Sequence, residues 1–294
     1  MAWILLPADT RYCHDDDMTP TACFSTTVRA PARLHMGFLD LNGSLGRCFG
    51  SLGLALEELA TEVTAWGDER IRADGPQSQR VEAFARATLE GMGIKSGARL
   101  LVRQAIPEHA GLGSGTQLAL AVGTALARLY GVERSPRALA SSLHRGHRSG
   151  IGLGLFERGG FVVDGGRGDQ DVPPTVTANL EFPPNWRLLL ILDPAHRGLH
   201  GDAEKQAFAA LPRFSESQAG QLCRLALMQA MPALAEKDIA AFGAAISGIQ
   251  AVVGDHFAPV QGGRYASARV TRALAFCAGN GAAGAGQRSW GPPG

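Results

Sequence analysis

The stretch that most constrains the fold is PEHAGLGSGTQ, residues 107–117, which places three glycines between two apolar segments. The preceding run, LLVRQAI, is typical of a strand, and the following run, LALAVGTALARLYG, of a largely buried helix that ends at Gly131. Glycine has no Cβ, so main-chain N–H groups in such a turn can approach a ligand closely, and the helix N-terminus adds partial positive charge. The stretch therefore predicts an anion-binding turn, formed by Gly111, Leu112, Gly113, Ser114, Gly115 and Thr116.

A second interpretation of this glycine-rich turn is a tight strand-to-helix connection that holds no ligand, and the pattern alone leaves both open. The turn has neither the GxxxxGK[ST] pattern of P-loop proteins nor the GxGxxG spacing of dinucleotide-binding folds. Those two classes of phosphate-binding protein are therefore excluded.

The composition is that of a globular chain whose charges nearly balance. Of the 294 residues, 45% are hydrophobic and 19% are charged, and the net charge is +1. This balance predicts neither a nucleic-acid nor a membrane partner, so an anion site must be local. Five cysteines without a CxxC pair argue against a disulfide framework or a zinc site and favour a reducing, cytoplasmic location.

The order of apolar runs predicts a mixed α+β fold in two lobes. We expect an irregular leader over residues 1–25, an N-terminal domain over 26–168 and a C-terminal domain over 169–294. Strands are predicted in the runs TVRAPARLHMGFL, LGLALEE, TEVTAW, ERIRAD, ARLLVRQAI, GGFVVDGG, TVTANLEF and WRLLLILD. Helices are predicted over about 77–91, 116–130, 135–148, 216–234, 237–253 and 265–277, with Pro232 breaking or kinking the fourth.

Three stretches, in order along the chain, resemble the signatures of the GHMP kinase superfamily. PEHAGLGSGTQ resembles the second signature, usually P-x-x-x-G-L-G-S-S-A, while APARLHMGFLDLNGSLGR (30–47) and GAGQRSWGPPG (284–294) resemble the first and the third. The resemblance implies a two-lobed GHMP kinase-like fold, with a ribosomal-S5-like N-terminal lobe and a ferredoxin-like C-terminal lobe.

Within the superfamily, the chain is most similar to the β-ribofuranosylaminobenzene 5′-phosphate synthases. The similarity lies in PARLHMGFLDLNG, PEHAGLGSGTQLAL, RSGIGLGLFERGGFVVDGG and the final GQ-x-SWGP. This family joins p-aminobenzoate to phosphoribosyl diphosphate as a C-glycoside, with release of CO2 and diphosphate, on the route to tetrahydromethanopterin. The resemblance therefore implies a decarboxylating pentosyltransferase that uses these two small-molecule substrates and Mg²⁺.

Two alternatives to the synthase stay open. Many GHMP kinases carry S-G-x-D, with Asp as catalytic base, whereas the matching run here is Ser149-Gly150-Ile151-Gly152. The missing carboxylate favours the synthase, but an ATP-dependent small-molecule kinase remains because some superfamily kinases also lack this base. The chain stops at GPPG, where the family continues, so the C-terminal domain is expected to be incomplete and an inactive relative is the second alternative. Superfamily members are often dimers, which makes a homodimer a further expectation.

The chemistry implied by the resemblance assigns roles to individual polar residues. The glycine-rich turn would bind the diphosphate, Arg33 and Arg148 are candidate forks for phosphate or benzoate oxygens, and His109 is a candidate donor to the departing diphosphate. Asp40 and Asp164 are candidate Mg²⁺ ligands, and Asp164 is also the candidate catalytic carboxylate. The alternatives are salt bridges for the arginines, a structural role for the histidine and turn shaping for the two aspartates.

Overall fold

The computed structural model describes residues 24–108, 110–146, 149–169, 172–191, 193 and 210–287. Within these ranges strands and helices occur in mixed order, which confirms the α+β class, and no helix there is long and apolar enough to cross a membrane. The strands are β1 (Ser25–Asp40), β2 (Phe49–Asp68), β3 (Arg72–Asp74), β4 (Gly97–Gln104), β5 (Phe161–Asp164) and β6 (Val176–Leu180). The helices are α1 (Ser78–Met92), α2 (Ser114–Leu129), α3 (Pro136–Ser142), α4 (Ile151–Arg158), α5 (Glu216–Leu225), α6 (Met231–Glu236), α7 (Ile239–Gln261) and α8 (Ala268–Gly279), with a π-helical turn (Ala226–Ala230) between α5 and α6.

The six strands form one sheet built around β2. This strand runs for 20 residues and joins the two runs that the sequence predicts separately. It pairs with β1 along one edge, and along the other with β5 near its start and with β4 near its end, all antiparallel. Only β3 and β4 pair in parallel, across α1. Since β6 pairs with β5, the sheet continues across the expected domain boundary at residue 168, and the division into two domains stays a prediction.

Helices cover both faces of this sheet, which explains why its strands carry apolar residues on both sides. On one face α1 and α2 pack against a core that includes Val63 and Leu100. On the other face the helices from α5 to α7 pack against Leu52 and Phe161. Helix α2 is buried along nearly its whole length, as its apolar sequence predicts.

The chain stays helical through Pro232, where the sequence predicts a break or a kink. Proline lacks an N–H group, and its ring clashes with the carbonyl group four residues earlier in a regular α-helix. The π-helical turn Ala226–Ala230 lies immediately before this position and widens the helix locally. Helix α6 therefore begins with Pro232 in its first turn and runs on to Glu236.

One predicted helix ends early, and one predicted strand is not formed. The helix predicted over 135–148 ends at Ser142, because His144 and Gly146 adopt positive φ angles of 52° and 78°. The strand predicted in WRLLLILD is not formed, since residues 186–191 are irregular. A strand needs a neighbour for its backbone hydrogen bonds, and none in the described part of the chain pairs with this segment.

Helix α4 is an element that the sequence does not predict, because its Gly152 and Gly154 are unfavourable inside a helix. A Cβ on Gly154 would lie 2.6 Å from Cγ2 of Val176, and one on Gly152 would lie 3.4 Å from Cγ2 of Thr116. The two glycines therefore let α4 pack closely against β6 and α2, and this tertiary packing outweighs their low helix propensity.

Alanine substitution of two helical glycines is expected to change stability in opposite directions. Gly220 is exposed in α5, and a Cβ there would meet nothing within 4 Å. Gly220→Ala is expected to raise the free energy of unfolding by about 0.5–1 kcal/mol, since alanine loses less backbone entropy on folding. Gly154→Ala is expected to lower it by about 1–3 kcal/mol, because the new Cβ meets the side chains of Val176 and Val162. Urea unfolding checks both signs, and an unchanged Gly154→Ala protein would contradict the close packing of α4.

Candidate functional site

The glycine-rich turn connects β4 to α2, as the sequence predicts. Gly111 and Gly113 have φ angles of 80° and 78°, in the left-handed region that favours glycine. Gly113 is the N-cap of α2 and offers no side-chain acceptor, and the first turn of the helix contains no acidic residue. The first four N–H groups of a helix have no intrahelical partner, so an anion is well suited to this helix end.

Arg33 of β1 lies directly against the glycine-rich turn. Its backbone N donates a 2.9 Å hydrogen bond to the carbonyl oxygen of Leu112. A Cβ on Gly113 would lie 2.5 Å from Cγ and 2.8 Å from Nε of Arg33, so the absence of that Cβ makes room for the arginine side chain. The structure therefore brings Arg33 and the turn together, and its role as a fork for substrate oxygens stays a prediction.

The first turn of α4 completes this side of the site. Nε2 of Gln117, in the first turn of α2, donates a 2.8 Å hydrogen bond to the carbonyl oxygen of Gly152. Cδ of Arg33 lies 3.7 Å from the position that a Cβ on Gly152 would take. The beginnings of α2 and α4 and the side chain of Arg33 therefore form one compact group.

Asp164 is fully buried at the end of β5 and holds the turn that begins α4. Its Oδ2 accepts hydrogen bonds from Ser51 Oγ at 2.6 Å, Gly150 N at 3.0 Å and Ser149 Oγ at 3.1 Å, and its Oδ1 accepts one from Gly166 N at 2.8 Å. Burial raises the pKa of Asp164, while the hydrogen bonds from these donors oppose that shift. Because protein donors engage both oxygens, the contacts favour a structural role over direct coordination of Mg²⁺.

Asp40 lies away from this group, at the far end of β1. It is seven positions along the strand from Arg33, which is roughly 20 Å at the usual rise of a strand. Its Oδ1 accepts hydrogen bonds from the backbone N of Asn42 at 2.7 Å and of Gly43 at 3.0 Å. These contacts are those of an aspartate that shapes a turn, so the structure does not bring Asp40 to the glycine-rich turn.

The described part of the third glycine-containing motif, residues 284–287, reaches β1 through α7. A Cβ on Gly286 would lie 2.5 Å from Cγ of Gln250, so this backbone passes directly over the Gln250 side chain. Nε2 of Gln250 donates a 2.5 Å hydrogen bond to the carbonyl oxygen of Met36, three residues along β1 from Arg33. All three motifs are therefore assembled around β1.

The structure adds two arginines that the sequence analysis missed. Nη2 of Arg80 and Nη1 of Arg145 lie 2.9 and 3.8 Å from the position that a Cβ on Gly115 would take. Both residues are distant from the turn in sequence, so no local pattern marks them. The one available signal is that Arg80 occupies the first turn of α1, where a cation opposes the helix dipole.

Two predicted residues, His109 and Arg148, lie outside the described residues, and their roles stay predictions. Among the residues that are described, no group of three or more His, Cys, Asp or Glu side chains could hold a metal ion. The uncapped start of α2 and the guanidinium groups beside it support an anion site.

Comparison with known proteins agrees with this arrangement. The GHMP kinases N terminal domain family matches residues 79–156, which include the glycine-rich turn. The crystal structure of the mevalonate kinase of Methanococcus jannaschii has a TM-score of 0.62 over 90% of this chain and 87% of that chain, at 11% sequence identity, and so shows the fold alone. The family match, together with the fold, identifies a member of the GHMP kinase superfamily, as the motifs predict.

Two curated relatives narrow this class. A β-ribofuranosylphenol 5′-phosphate synthase of Archaeoglobus fulgidus is 36% identical in an alignment that covers 76% of this chain and 74% of the relative. Its counterpart in Methanothermobacter thermautotrophicus is 32% identical, with 90% and 86% covered. The chain belongs to the β-ribofuranosylphenol 5′-phosphate synthase family.

Proposed function

We propose that the protein is a decarboxylating pentosyltransferase that condenses a para-substituted benzoate with phosphoribosyl diphosphate. The observation that carries this proposal is the uncapped N-terminus of α2, lined by glycine and flanked by Arg33, in a chain whose relatives are named as synthases of a ribofuranosyl 5′-phosphate. Such a helix end suits the diphosphate group that must leave the sugar.

The proposed reaction balances without a proton donor or an oxidant. The bond between the anomeric carbon and diphosphate breaks, and its electron pair leaves on the diphosphate. The ring carbon that bears the carboxylate forms the new bond to the anomeric carbon. The bond between that ring carbon and the carboxylate then breaks and CO2 departs. The electron pair of the broken bond stays on the ring and restores its aromaticity. The protein must therefore orient the two substrates and stabilise the charge that accumulates on the leaving diphosphate.

The glycine-rich turn and Arg33 are positioned to stabilise that charge. Main-chain N–H groups at a fixed helix end need no reorganisation during the reaction, and one such donor is typically worth about 10² to 10³ in kcat. A guanidinium group adds a planar fork that matches phosphate oxygens. Asp164 acts indirectly, since it fixes the start of α4 beside Arg33. His109 is kept as a candidate donor to the same diphosphate, and Arg148 as a candidate fork for phosphate or benzoate oxygens.

Two benzoates are candidates for the acceptor of the ribosyl group. The resemblance implies p-aminobenzoate, whereas the name of the relatives specifies a phenol product. The same decarboxylative chemistry yields a phenol from 4-hydroxybenzoate. An amino or a hydroxyl group in the para position donates electron density to the attacking ring carbon, so both benzoates satisfy the mechanism.

The predicted cofactor Mg²⁺ does not fit a site built from the two candidate carboxylates. Asp164 has both oxygens engaged by protein donors, and Asp40 lies at the far end of β1. Mg²⁺ often enters such sites on substrate phosphates with few protein ligands. We keep it as a counter-ion of the donor's diphosphate and assign no step to a metal held by the protein.

The experiment that tests the proposal incubates the purified full chain with phosphoribosyl diphosphate, Mg²⁺ and carboxyl-labelled p-aminobenzoate or 4-hydroxybenzoate. We expect labelled CO2 and diphosphate in equal amounts, only when both substrates are present, with at least one of the two benzoates. Mass spectrometry of the product should show the aromatic ring joined to ribose 5-phosphate without the carboxylate.

Two other outcomes would reject the synthase. Consumption of ATP with an alcohol acceptor, without release of CO2, would identify the kinase alternative. No turnover in either assay from a folded protein would identify an inactive relative.

A further inference from the structure

Two guanidinium groups from different elements meet over Gly115, two residues beyond the glycine that Arg33 contacts. Arg80 comes from the first turn of α1, and Arg145 follows α3. Their Nη2 and Nη1 atoms lie 2.9 and 3.8 Å from a single point, the position of an absent Cβ on Gly115. Two positive charges at such a short distance repel each other, so the convergence of the two arginines needs an explanation.

Arg80 is held in this position by its surroundings. Its Nη1 donates a 2.9 Å hydrogen bond to Oε1 of Gln77 and also pairs with the carboxylate of Glu108. Gln77 has a φ of 60°, an unusual angle for a residue with a side chain, which points to a functional constraint on this helix start. These contacts use Nη1 and leave Nη2 directed at Gly115.

Arg145 is half-buried, and no acidic side chain among the described residues offsets its charge. Its Cζ lies 5.2 Å above the ring of Phe84, and its Nε is buried and donates to no acceptor in that part of the chain. Burial, followed by the positive charge of Arg80, lowers the pKa of Arg145. An anion bound between the two guanidinium groups would accept from both and remove the repulsion between them.

Gly115 itself departs from the motif that the turn resembles. The second GHMP signature reads G-L-G-S-S-A, and Gly115 stands at its second serine. A serine Cβ here would lie 2.9 Å from Nη2 of Arg80. Gly115 lies within a helix, so the glycine at this position is not required by a left-handed backbone. The missing side chain instead opens the space that the guanidinium group occupies.

We propose that Arg80 and Arg145 form an anion subsite over Gly115 that binds a phosphoryl group of the sugar donor. The two guanidinium groups lie beside this point, and Gly115 itself belongs to the first turn of α2, whose N–H groups have no intrahelical partner. A tetrahedral phosphoryl group offers three outer oxygens to such donors, whereas a carboxylate offers two in one plane. The inference rests on the proposed function, in which the donor carries both a 5′-phosphate and a diphosphate.

The test measures binding to the full chain by isothermal titration calorimetry at fixed ionic strength. The probes are ribose 5-phosphate, inorganic diphosphate and p-aminobenzoate, and the variants are Arg80→Gln, Arg145→Gln and Gly115→Ala. Each variant is expected to weaken at least one phosphorylated probe by about ten- to a hundredfold, the usual effect of losing a hydrogen bond to a charged group, and to leave p-aminobenzoate unchanged. The probe that weakens identifies which phosphoryl group occupies the subsite.

Arg86→Gln is the matched control, since it removes an exposed arginine from the same helix. It is expected to change no affinity by more than about twofold. Arg145→Lys keeps the charge without the fork and should fall between the wild type and Arg145→Gln. If Arg145→Gln does not fold, Arg80→Gln, at a partly exposed position, and the conservative Gly115→Ala decide the matter.

Three results would overturn the subsite. These are no binding of either phosphorylated probe to the wild type, unchanged binding in all three variants, or weakening of p-aminobenzoate alone. The subsite and the synthase can also fail separately. If the wild type releases no CO2 but the variants lose phosphate binding, the subsite stands and the synthase is rejected. If the wild type is an active synthase and the variants keep its kcat/KM, the synthase stands and the subsite is rejected.

Discussion

Gly113→Ala is expected to lower kcat/KM for the proposed synthase reaction by about a hundredfold or more, the typical effect of losing a preorganised anion-stabilising group. The new Cβ would lie 2.5 Å from Cγ of Arg33, so the arginine side chain must leave the turn. The φ of 78° at Gly113 also strains any L-residue, and the backbone amides of the turn would shift with it. Steady-state assays with varied phosphoribosyl diphosphate measure the loss.

Gly131→Ala separates the backbone strain from the loss of the site. Gly131 lies just beyond the other end of α2, has a φ of 65°, and would place a Cβ within 4 Å of nothing. Both substitutions are expected to lower the free energy of unfolding by about 1–2 kcal/mol through the positive φ, and the clash with Arg33 should add to the loss in Gly113→Ala. Only Gly113→Ala should lose activity. Equal kcat/KM in the two variants would remove the case for the turn as the diphosphate site.

Local sequence patterns predict the parts of the fold that depend on neighbouring residues. Helix α2 and strand β4 follow directly from apolar runs closed by glycine or polar residues. The pattern fails at α4, where Gly152 and Gly154 lower helix propensity but allow close contacts with Thr116 and Val176. It also fails at residues 186–191, whose apolar run is typical of a strand but which pairs with no strand in the described ranges.

The same distinction explains the site. The glycine-rich turn and Arg33 lie in motifs that can be read from the sequence, and the structure brings them together. Arg80 and Arg145 have no motif, because only the packing of α1 and of the segment after α3 brings them to Gly115. The resemblance makes Asp164 a candidate for catalysis or metal binding because it is a carboxylate within the matching residues. Its burial and its four donors cannot be inferred from the sequence around it.

Asp164→Ala is expected to lower the free energy of unfolding by about 3–5 kcal/mol, the effect of leaving several buried donors without an acceptor. The two amides and two hydroxyl groups that donate to Asp164 come from three separate segments, and no other carboxylate in the described residues accepts from them. Asp164→Asn should lose less, since the amide oxygen can still accept at one of the two positions. Urea unfolding, followed by circular dichroism, measures both changes.

Asp74→Ala is the matched control for this variant. Asp74 also ends a strand, but it is exposed and its carboxylate lies 3.6 Å from Nε of Arg99, so its removal should change the free energy of unfolding by no more than about 0.5 kcal/mol. If Asp164 only fixes the start of α4, the Asp164→Asn protein that remains folded should keep part of its activity, because a shifted α4 still presents Gly152 beside Arg33. Complete loss of turnover in a folded Asp164→Asn protein with near wild-type stability would instead establish Asp164 as a group that acts on the reacting atoms.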